Sequence, residues 1–214
     1  MEFKIKFLVI CIKIYYGLKS RIKLFYNKFF SKAFTYAYLK YHGVETQYGY
    51  VTLVGLPIIN RHTNSRILIG NGVTLVSTSK GNLAGVNHPV ILATLKENAI
   101  IELAGENGIS GSSIVAKSRI LIGKGTGLGI NSSIYDTDFH PVSPLLREQD
   151  WSIGDKTAEV IIGENVWLAA NSIVLKGVKI GKGSVVGANS LVNKSIPENC
   201  LYAGNPASFV KKIE

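Results

Sequence analysis

The chain has 214 residues, 46% hydrophobic and 18% charged. That is one domain, at most two, with enough apolar content for a buried core, which excludes a disordered chain. Glycine is 22 of the 214 residues without a Gly-X-Y period, so collagen is excluded. The formal net charge of +10 is uneven: residues 1–42 hold nine cations against Glu2 alone, a net +8, while the other 172 residues carry 15 cations and 13 acids. No nucleic-acid motif accompanies the basic front, so nucleic acid is not an expected partner.

In chain order, the first apolar run is Phe7-Leu8-Val9-Ile10-Cys11-Ile12. It is far shorter than the ~20 residues that span a bilayer. No small-residue cleavage site stands behind it, so a removable signal is not expected either. Cys11 and Cys200 lie far apart and show no metal or disulfide spacing. That suits a reducing, cytoplasmic compartment. Phe3-Lys4-Ile5-Lys6-Phe7 alternates like a strand. Leu18, Ile22, Phe25, Phe29, Ala33 and Tyr36 recur at steps of three and four, which predicts a helix with one apolar stripe. Residues 1–66 therefore read as a basic helical segment and its connection. Its stripe suits either a cap on the C-terminal domain or peripheral contact of residues 1–42 with the inner face of an anionic membrane.

From Ile67 the texture changes to short aliphatic-plus-glycine units. Ile162, Leu168, Val174, Ile180, Val186 and Val192 are six residues apart without a slip. Gly163, Ala169, Gly181 and Gly187 come directly after four of them, and Val160, Val166, Ser172, Val178, Ser184 and Ser190 stand two places before. Other registers give Ile122, Leu128 and Ile134, then Ile69 with Leu75, and Leu103 with Ile109. A six-residue period predicts an all-β solenoid, a three-sided parallel β-helix over residues 67–213, with one hexad per side and aliphatic residues stacked inward. The pattern breaks near 77–98 and 135–159, where loops are expected, and loops on such scaffolds carry function.

These hexads resemble the left-handed β-helix acyltransferases, the hexapeptide-repeat family. Ile162 through Gly181, Ser195-Ile-Pro-Glu-Asn and Ala203-Gly-Asn-Pro-Ala207 are similar to the maltose and galactoside O-acetyltransferase branch, as is Asp136-Thr-Asp-Phe-His-Pro141. Asn87-His-Pro-Val-Ile-Leu-Ala-Thr-Leu95 and Gly108-Ile-Ser-Gly-Ser-Ser113 look more like relatives in polysaccharide clusters. The resemblance implies a left-handed prism with a short C-terminal helix. It also implies a homotrimer with sites in the clefts between chains, and acetyl transfer from acetyl-CoA to a saccharide hydroxyl in surface polysaccharide assembly. The rival enzyme reading is N-acetylation of an amino sugar nucleotide or an antibiotic. The rival of another class is a non-catalytic assembly module.

Acetyl transfer from a thioester to an alcohol needs a base for the hydroxyl proton, a donor for the oxyanion and both substrates held in line. His140, in the second loop, is the candidate base, since an imidazole titrates near neutral pH. Asp136 or Asp138 is the candidate to orient its far nitrogen. His88, with Asn87 in the same His-Pro setting, either touches the acceptor or packs its loop. Ser110 and Ser112 fall where the sugar-acetylating branch presents an asparagine to the acceptor. The resemblance places Trp167 in the acceptor and pantetheine channel; packing on a neighbouring subunit is the other reading. Small Ala169, Gly187 and Ala188 would let a pantetheine arm lie along a flat face. Lys176, Asn205 and Lys211 are candidates for its phosphates and adenine. The four histidines (His42, His62, His88, His140) are too scattered for a metal site, and none is expected. No nucleophile elbow is present, so direct transfer is preferred to an acyl-enzyme.

Overall fold

The computed structural model describes residues 32–152 and 154–214. The strand-like start, Cys11 and the helical stripe from Leu18 to Phe29 lie outside the described residues. Residues 32–41 form helix α1. It buries Thr35 and Leu39, while Ala33 is exposed and Tyr36 half-buried. The last two members of the predicted stripe thus sit beside the packed face, because Leu39 and Tyr38 are what meet the first coil. α1 ends where Gly43 (φ 70°) turns left-handed. The Gly43 N–H bonds the Lys40 carbonyl at 2.9 Å and the Val44 N–H bonds the Leu39 carbonyl at 2.9 Å. Val44 and Leu39 are both fully buried, the apolar contact that accompanies this termination.

Nineteen strands come after α1, and eighteen of them build three parallel sheets. Each of the first five coils contributes one strand to each sheet. The first coil is β1 (Val51–Val54), β2 (Ile58–Arg61) and β3 (Arg66–Ile69); the second is β4 (Val73–Val76), β5 (Ile91–Thr94) and β6 (Ile100–Leu103). The third is β7 (Gly108–Ser110), β8 (Ser113–Ala116) and β9 (Arg119–Ile122), and the fourth β10 (Gly127–Leu128), β11 (Ser133–Tyr135) and β12 (Val160–Ile162). The fifth is β13 (Trp167–Leu168), β14 (Ile173–Val174) and β15 (Lys179–Ile180). Then come β16 (Val185–Val186), β17 (Leu191–Val192) and β18 (Cys200–Ala203). We call the faces first (β1-β4-β7-β10-β13-β16-β18), second (β2-β5-β8-β11-β14-β17) and third (β3-β6-β9-β12-β15).

Register puts like on like. Ile59, Leu92, Ile114, Ile134, Val174 and Val192 stack on the second face, and Ile69, Leu103, Ile122, Ile162 and Ile180 on the third. On the first face, Leu75, Ile109, Leu128, Leu168 and Val186 do the same. All are buried. Each such side chain contributes ~1.5–3 kcal/mol on leaving water. The residues two places earlier are buried too, and their serines serve the corners: Ser172 Oγ donates to the Ala169 carbonyl at 2.9 Å and Ser184 Oγ to that of Pro197 at 2.6 Å.

The coil begins at Val51, not at Ile67. Its first turn carries the aliphatic residues without the glycine that marks later hexads, so pattern alone missed it. The first break is shorter than expected, since β5 resumes the stack at Ile91 within the proposed 77–98 loop. The second, from Tyr135 to Val160, holds a short helix α2 (Pro144–Gln149). The expected C-terminal helix is absent: Ser208–Lys212 is strand β19, antiparallel to β18. Ala203 to Ala207 reverses the chain, and the returning strand pairs with backbone groups at the open edge of the stack. A helix would have left that edge bare.

Between the third and first faces every coil has a left-handed corner residue, and glycine alternates with other residues there: Gly72, Glu106 (after Gly105, φ 129°), Gly125, Asn165, Gly183, Asn199. A Cβ on Gly125 would strike Asn165 Oδ1, and one on Gly183 would strike Asn199 Oδ1. The asparagine fills the space its glycine neighbour vacates. Gly125→Ala adds both that clash and a left-handed backbone penalty of ~1–2 kcal/mol. Thermal unfolding should show a midpoint several degrees lower, while Lys124→Ala one residue away, an exposed position, should lower it far less. Equal effects would make the corner insensitive to the glycine.

Candidate active site

Two loops leave the stack at different corners. The loop of residues 77–90 leaves between the first and second faces, and residues 136–159 leave between the second and third. At its base, the second loop closes on itself. The Asp138 N–H bonds the Lys156 carbonyl at 3.2 Å, the Ala158 N–H bonds the Asp136 carbonyl at 2.9 Å, and Thr137 bridges Thr157. Phe139 has φ 62°, and the His140 N–H closes a tight turn on the Asp138 carbonyl at 2.7 Å. An aromatic residue in that region is strained by ~1–3 kcal/mol and needs its surroundings to hold it there. They do: its N–H bonds Thr137 Oγ1 at 3.0 Å, and its ring meets Tyr135 edge-on at 5.2 Å.

The turn presents His140, exposed, with Nδ1 2.9 Å from the Trp151 carbonyl. A carbonyl only accepts, so Nδ1 is the donor in this contact, and in the neutral ring the lone pair is then on Nε2. The Trp151 ring stands edge-on at 5.4 Å, and the Arg147 guanidinium lies 5.6 Å over that ring. Arg147 also donates to the Pro141 and Val142 carbonyls at 2.9 and 2.6 Å, so one cation ties the outgoing limb of the turn to α2.

Neither aspartate orients the imidazole. Asp136 is buried and accepts the backbone N–H groups of Lys117 and Ser118, both at 2.7 Å, so it braces the neighbouring coil. Asp138 accepts from Lys176 Nζ at 2.6 Å. The ring is held by a backbone carbonyl eleven residues downstream, which no side-chain pattern reveals. Lys176, expected on the cofactor, is engaged by Asp138 within its own chain. Asp155, not singled out by sequence, joins Lys117 Nζ at 2.7 Å to Thr137 Oγ1 at 2.8 Å and so fixes the turn from below.

Burial pushes the Asp136 carboxyl above the ordinary carboxylate range, against the pull of the Lys117 and Ser118 N–H groups. Burial pushes the Asp155 carboxyl up as well, but the bonds from Lys117 and Thr137 and the lysine charge together leave it below its usual value.

The other candidates gather at the other corner. Ser112 is fully buried, with its hydroxyl on Ser132 Oγ at 3.0 Å and on the Ser110 and Gly129 carbonyls, so it is a corner brace and cannot meet an acceptor. Ser110 accepts from Asn82 Nδ2 at 3.2 Å. His88 is half-buried, its Nδ1 2.8 Å from the Pro89 carbonyl. Asn87 is exposed, and its N–H bonds Asn131 Oδ1 at 3.0 Å. Asn131, left-handed at φ 57°, also donates to the Gly85 carbonyl at 3.1 Å and so pins this loop to the fourth coil. Ala169 and Gly187 come after Leu168 and Val186 at the same corner, with Ala188 exposed beside them. Trp167 is 57% exposed on the first face, registered between Gly127 and Val185. Asn205 and Lys211 are exposed in the β18–β19 hairpin at the end of the column. His140 and the small-residue column thus lie on two edges of one prism, with the second face between them.

A cavity of about 720 Å³ lies elsewhere, lined by Lys40, Glu45, Gln47, Glu102, Glu106 and Lys124. Three of its wall charges are paired across coils, Lys124 with Glu106 at 3.1 Å and Glu45 with Arg66 at 2.7 Å, and no candidate residue lines it. Among the described residues no three His, Cys, Asp or Glu side chains converge as a metal site.

Residues 159–194 match the model of the bacterial transferase hexapeptide (six repeats). That match falls on the run from β12 to β17, where the hexads are stacked as parallel strands. Among curated proteins, the chain is 47% identical over 100 residues to the galactoside O-acetyltransferase of Lactococcus lactis subsp. lactis, 47% of this chain and 46% of that one. It is 54% identical over 57 residues to the putative lipopolysaccharide biosynthesis O-acetyl transferase WbbJ of Escherichia coli, 27% of this chain and 29% of that one. The chain thus spans about half the length, or less, of the curated relatives it matches. Among solved structures, a point mutant of the N-acyltransferase AntD from Bacillus cereus superposes with a TM-score of 0.55 at 20% identity, over 83% of this chain and 88% of that one. A hexapeptide-repeat acetyltransferase from Vibrio cholerae gives 0.51 at 21% identity, over 92% and 90%. These likenesses show the fold.

A depressed carboxyl stabilises above its unfolded pKa, and that contribution is lost as pH falls through the folded value. A raised one acts in the opposite sense. Acidification below the ordinary carboxylate range should therefore loosen the His140 loop through Asp155, read as faster proteolysis within residues 136–159. Lys117→Met should flatten that pH dependence; an unchanged profile would remove Asp155 from the loop's support.

Proposed function

We propose that the protein is an acetyl-CoA-dependent O-acetyltransferase that acts on a saccharide hydroxyl in surface polysaccharide assembly and works as a homotrimer. The observation that carries this reading is His140 at the tip of a braced turn, with Nδ1 committed to a backbone carbonyl and Nε2 without a partner among the described residues. The O-acetyltransferase names of the two curated relatives support the reaction class.

The steps come from the residues. The acceptor hydroxyl gives its proton to His140 Nε2 as its oxygen attacks the thioester carbonyl of acetyl-CoA. The resulting imidazolium is stabilised through Nδ1–H by the Trp151 carbonyl. The tetrahedral intermediate collapses with cleavage of the C–S bond, and the imidazolium returns the proton to the departing sulfur. The Asp138–Lys176 pair holds the turn from the next coil. Pantetheine lies along the Ala169, Gly187 and Ala188 column, where no long side chain obstructs it. Trp167 stands beside Gly127, leaving an apolar shelf for the acceptor or the arm.

The two groups sit on different edges of one prism, so one chain cannot bring both to one acetyl group. Three prisms arranged about an axis set the His140 edge of one chain against the column of the next, and this favours the trimer. Light scattering should give three times the chain mass; a monomer at micromolar concentration would sink the shared site.

With acetyl-CoA and a panel of saccharides, released thiol reports turnover. His140→Ala should lower it by at least ~10²-fold, within the range for general bases, with coenzyme A binding and oligomer mass unchanged. Turnover near wild type would move the base elsewhere, with His88 next to test. No thiol release with any acceptor would favour an assembly module.

A further inference from the structure

The first coil ends the prism unlike any other part of the described surface. Tyr41 is 87% exposed and Phe34 56%, and Tyr48, Tyr50, Leu56 and Ile58 are about half exposed. All six lie on α1, on the segment into β1, in the β1–β2 connection or at the start of β2. Tyr38 ties these elements together, its hydroxyl donating to the Pro57 carbonyl at 2.7 Å. Lys32, Tyr36 and Lys40 are spaced by four and share one stripe of the helix. Lys40 Nζ lies 5.5 Å over the Tyr36 ring, which meets Tyr48 edge-on at 5.4 Å. The interior of a cap needs none of this: Leu39 and Val44 already close the core.

We infer that this end is a membrane-interface surface that seats the first coil on an anionic phospholipid bilayer. Tyrosine and phenylalanine carry an apolar ring to the headgroup boundary, and tyrosine keeps its hydroxyl wet there. Lysines interleaved with them meet the phosphates, and residues 1–42 carry +8 of the chain's +10 charge. A nucleic acid would use the cations and rings but has no use for the exposed aliphatic Leu56 and Ile58. No described helix is long and apolar enough to cross a membrane. Seated this way, β11 and the His140 turn stand three strand spacings above β2, ~14 Å up the stack. The acetylated sugar of a lipid-linked glycan would then stand off from its lipid. The surface itself does not depend on the acetyl-transfer reading.

The test is co-sedimentation of the full chain with phosphatidylglycerol–phosphatidylcholine vesicles and with phosphatidylcholine alone, at low and high salt. Binding is expected to anionic vesicles only and to weaken with salt. Lys32→Glu with Lys40→Glu should weaken it by more than tenfold, since each lysine removed costs about fivefold. Phe34→Ser with Tyr41→Ser should weaken it at both salt concentrations. Circular dichroism and oligomer mass of the variants, unchanged, separate a surface effect from misfolding. No pelleting, equal pelleting with neutral vesicles, wild-type binding by folded variants, or displacement of vesicles by an equimolar DNA duplex would each overturn the inference. Thiol release with a soluble acceptor reports the catalytic reading separately.

Discussion

Everything in this molecule depends on the vertical stacking of one aliphatic side chain per hexad. Each inward residue is covered by its equivalents above and below, and the same repeat lets strand backbones pair in parallel register. A slip of one residue in any coil would turn its inward side chain to solvent and break both at once. The stack therefore tolerates variation only where the chain leaves it. The two long departures, after β4 and after β11, hold the histidines that stand in His-Pro settings.

The corners carry the second constraint. Three turns per coil force residues into the left-handed region, and the chain supplies glycine or asparagine there, with Glu106 the exception. The asparagines do more than accept the backbone angle. Asn165 and Asn199 fill the space that a glycine leaves in the adjacent coil, while Asn131 holds the loop of residues 77–90. A corner residue thus links packing of the prism to the position of a loop that bears candidate acceptor contacts.

The His140 turn shows how a rigid scaffold supports a strained, exposed group. Phe139 in a left-handed turn costs free energy that the core offsets through Tyr135, Thr137 and Asp155. Buried Asp136 fixes where the loop departs by engaging the preceding coil rather than the imidazole. What looked like a chemical dyad in one dimension is therefore an anchor and a brace. The orienting acceptor is the Trp151 carbonyl, brought close by α2 and the Arg147 bonds.

The sequence by itself determined the prism. Six-residue periodicity is a local, repeated statement about which side chains leave water, and it read correctly from Ile67 to Val192. It also located both interruptions and singled out His140. It did not show that the first coil starts at Val51, because that turn lacks the glycine marker. It missed the β19 strand, because an edge left open by one segment is closed by another, distant in sequence. The tertiary structure alone decided that Ser112 is a buried brace, that Lys176 belongs to Asp138, and that the two groups of candidate residues occupy separate edges. Those facts depend on which corner a residue reaches after several coils, and on backbone carbonyls that carry no residue type for a pattern to find.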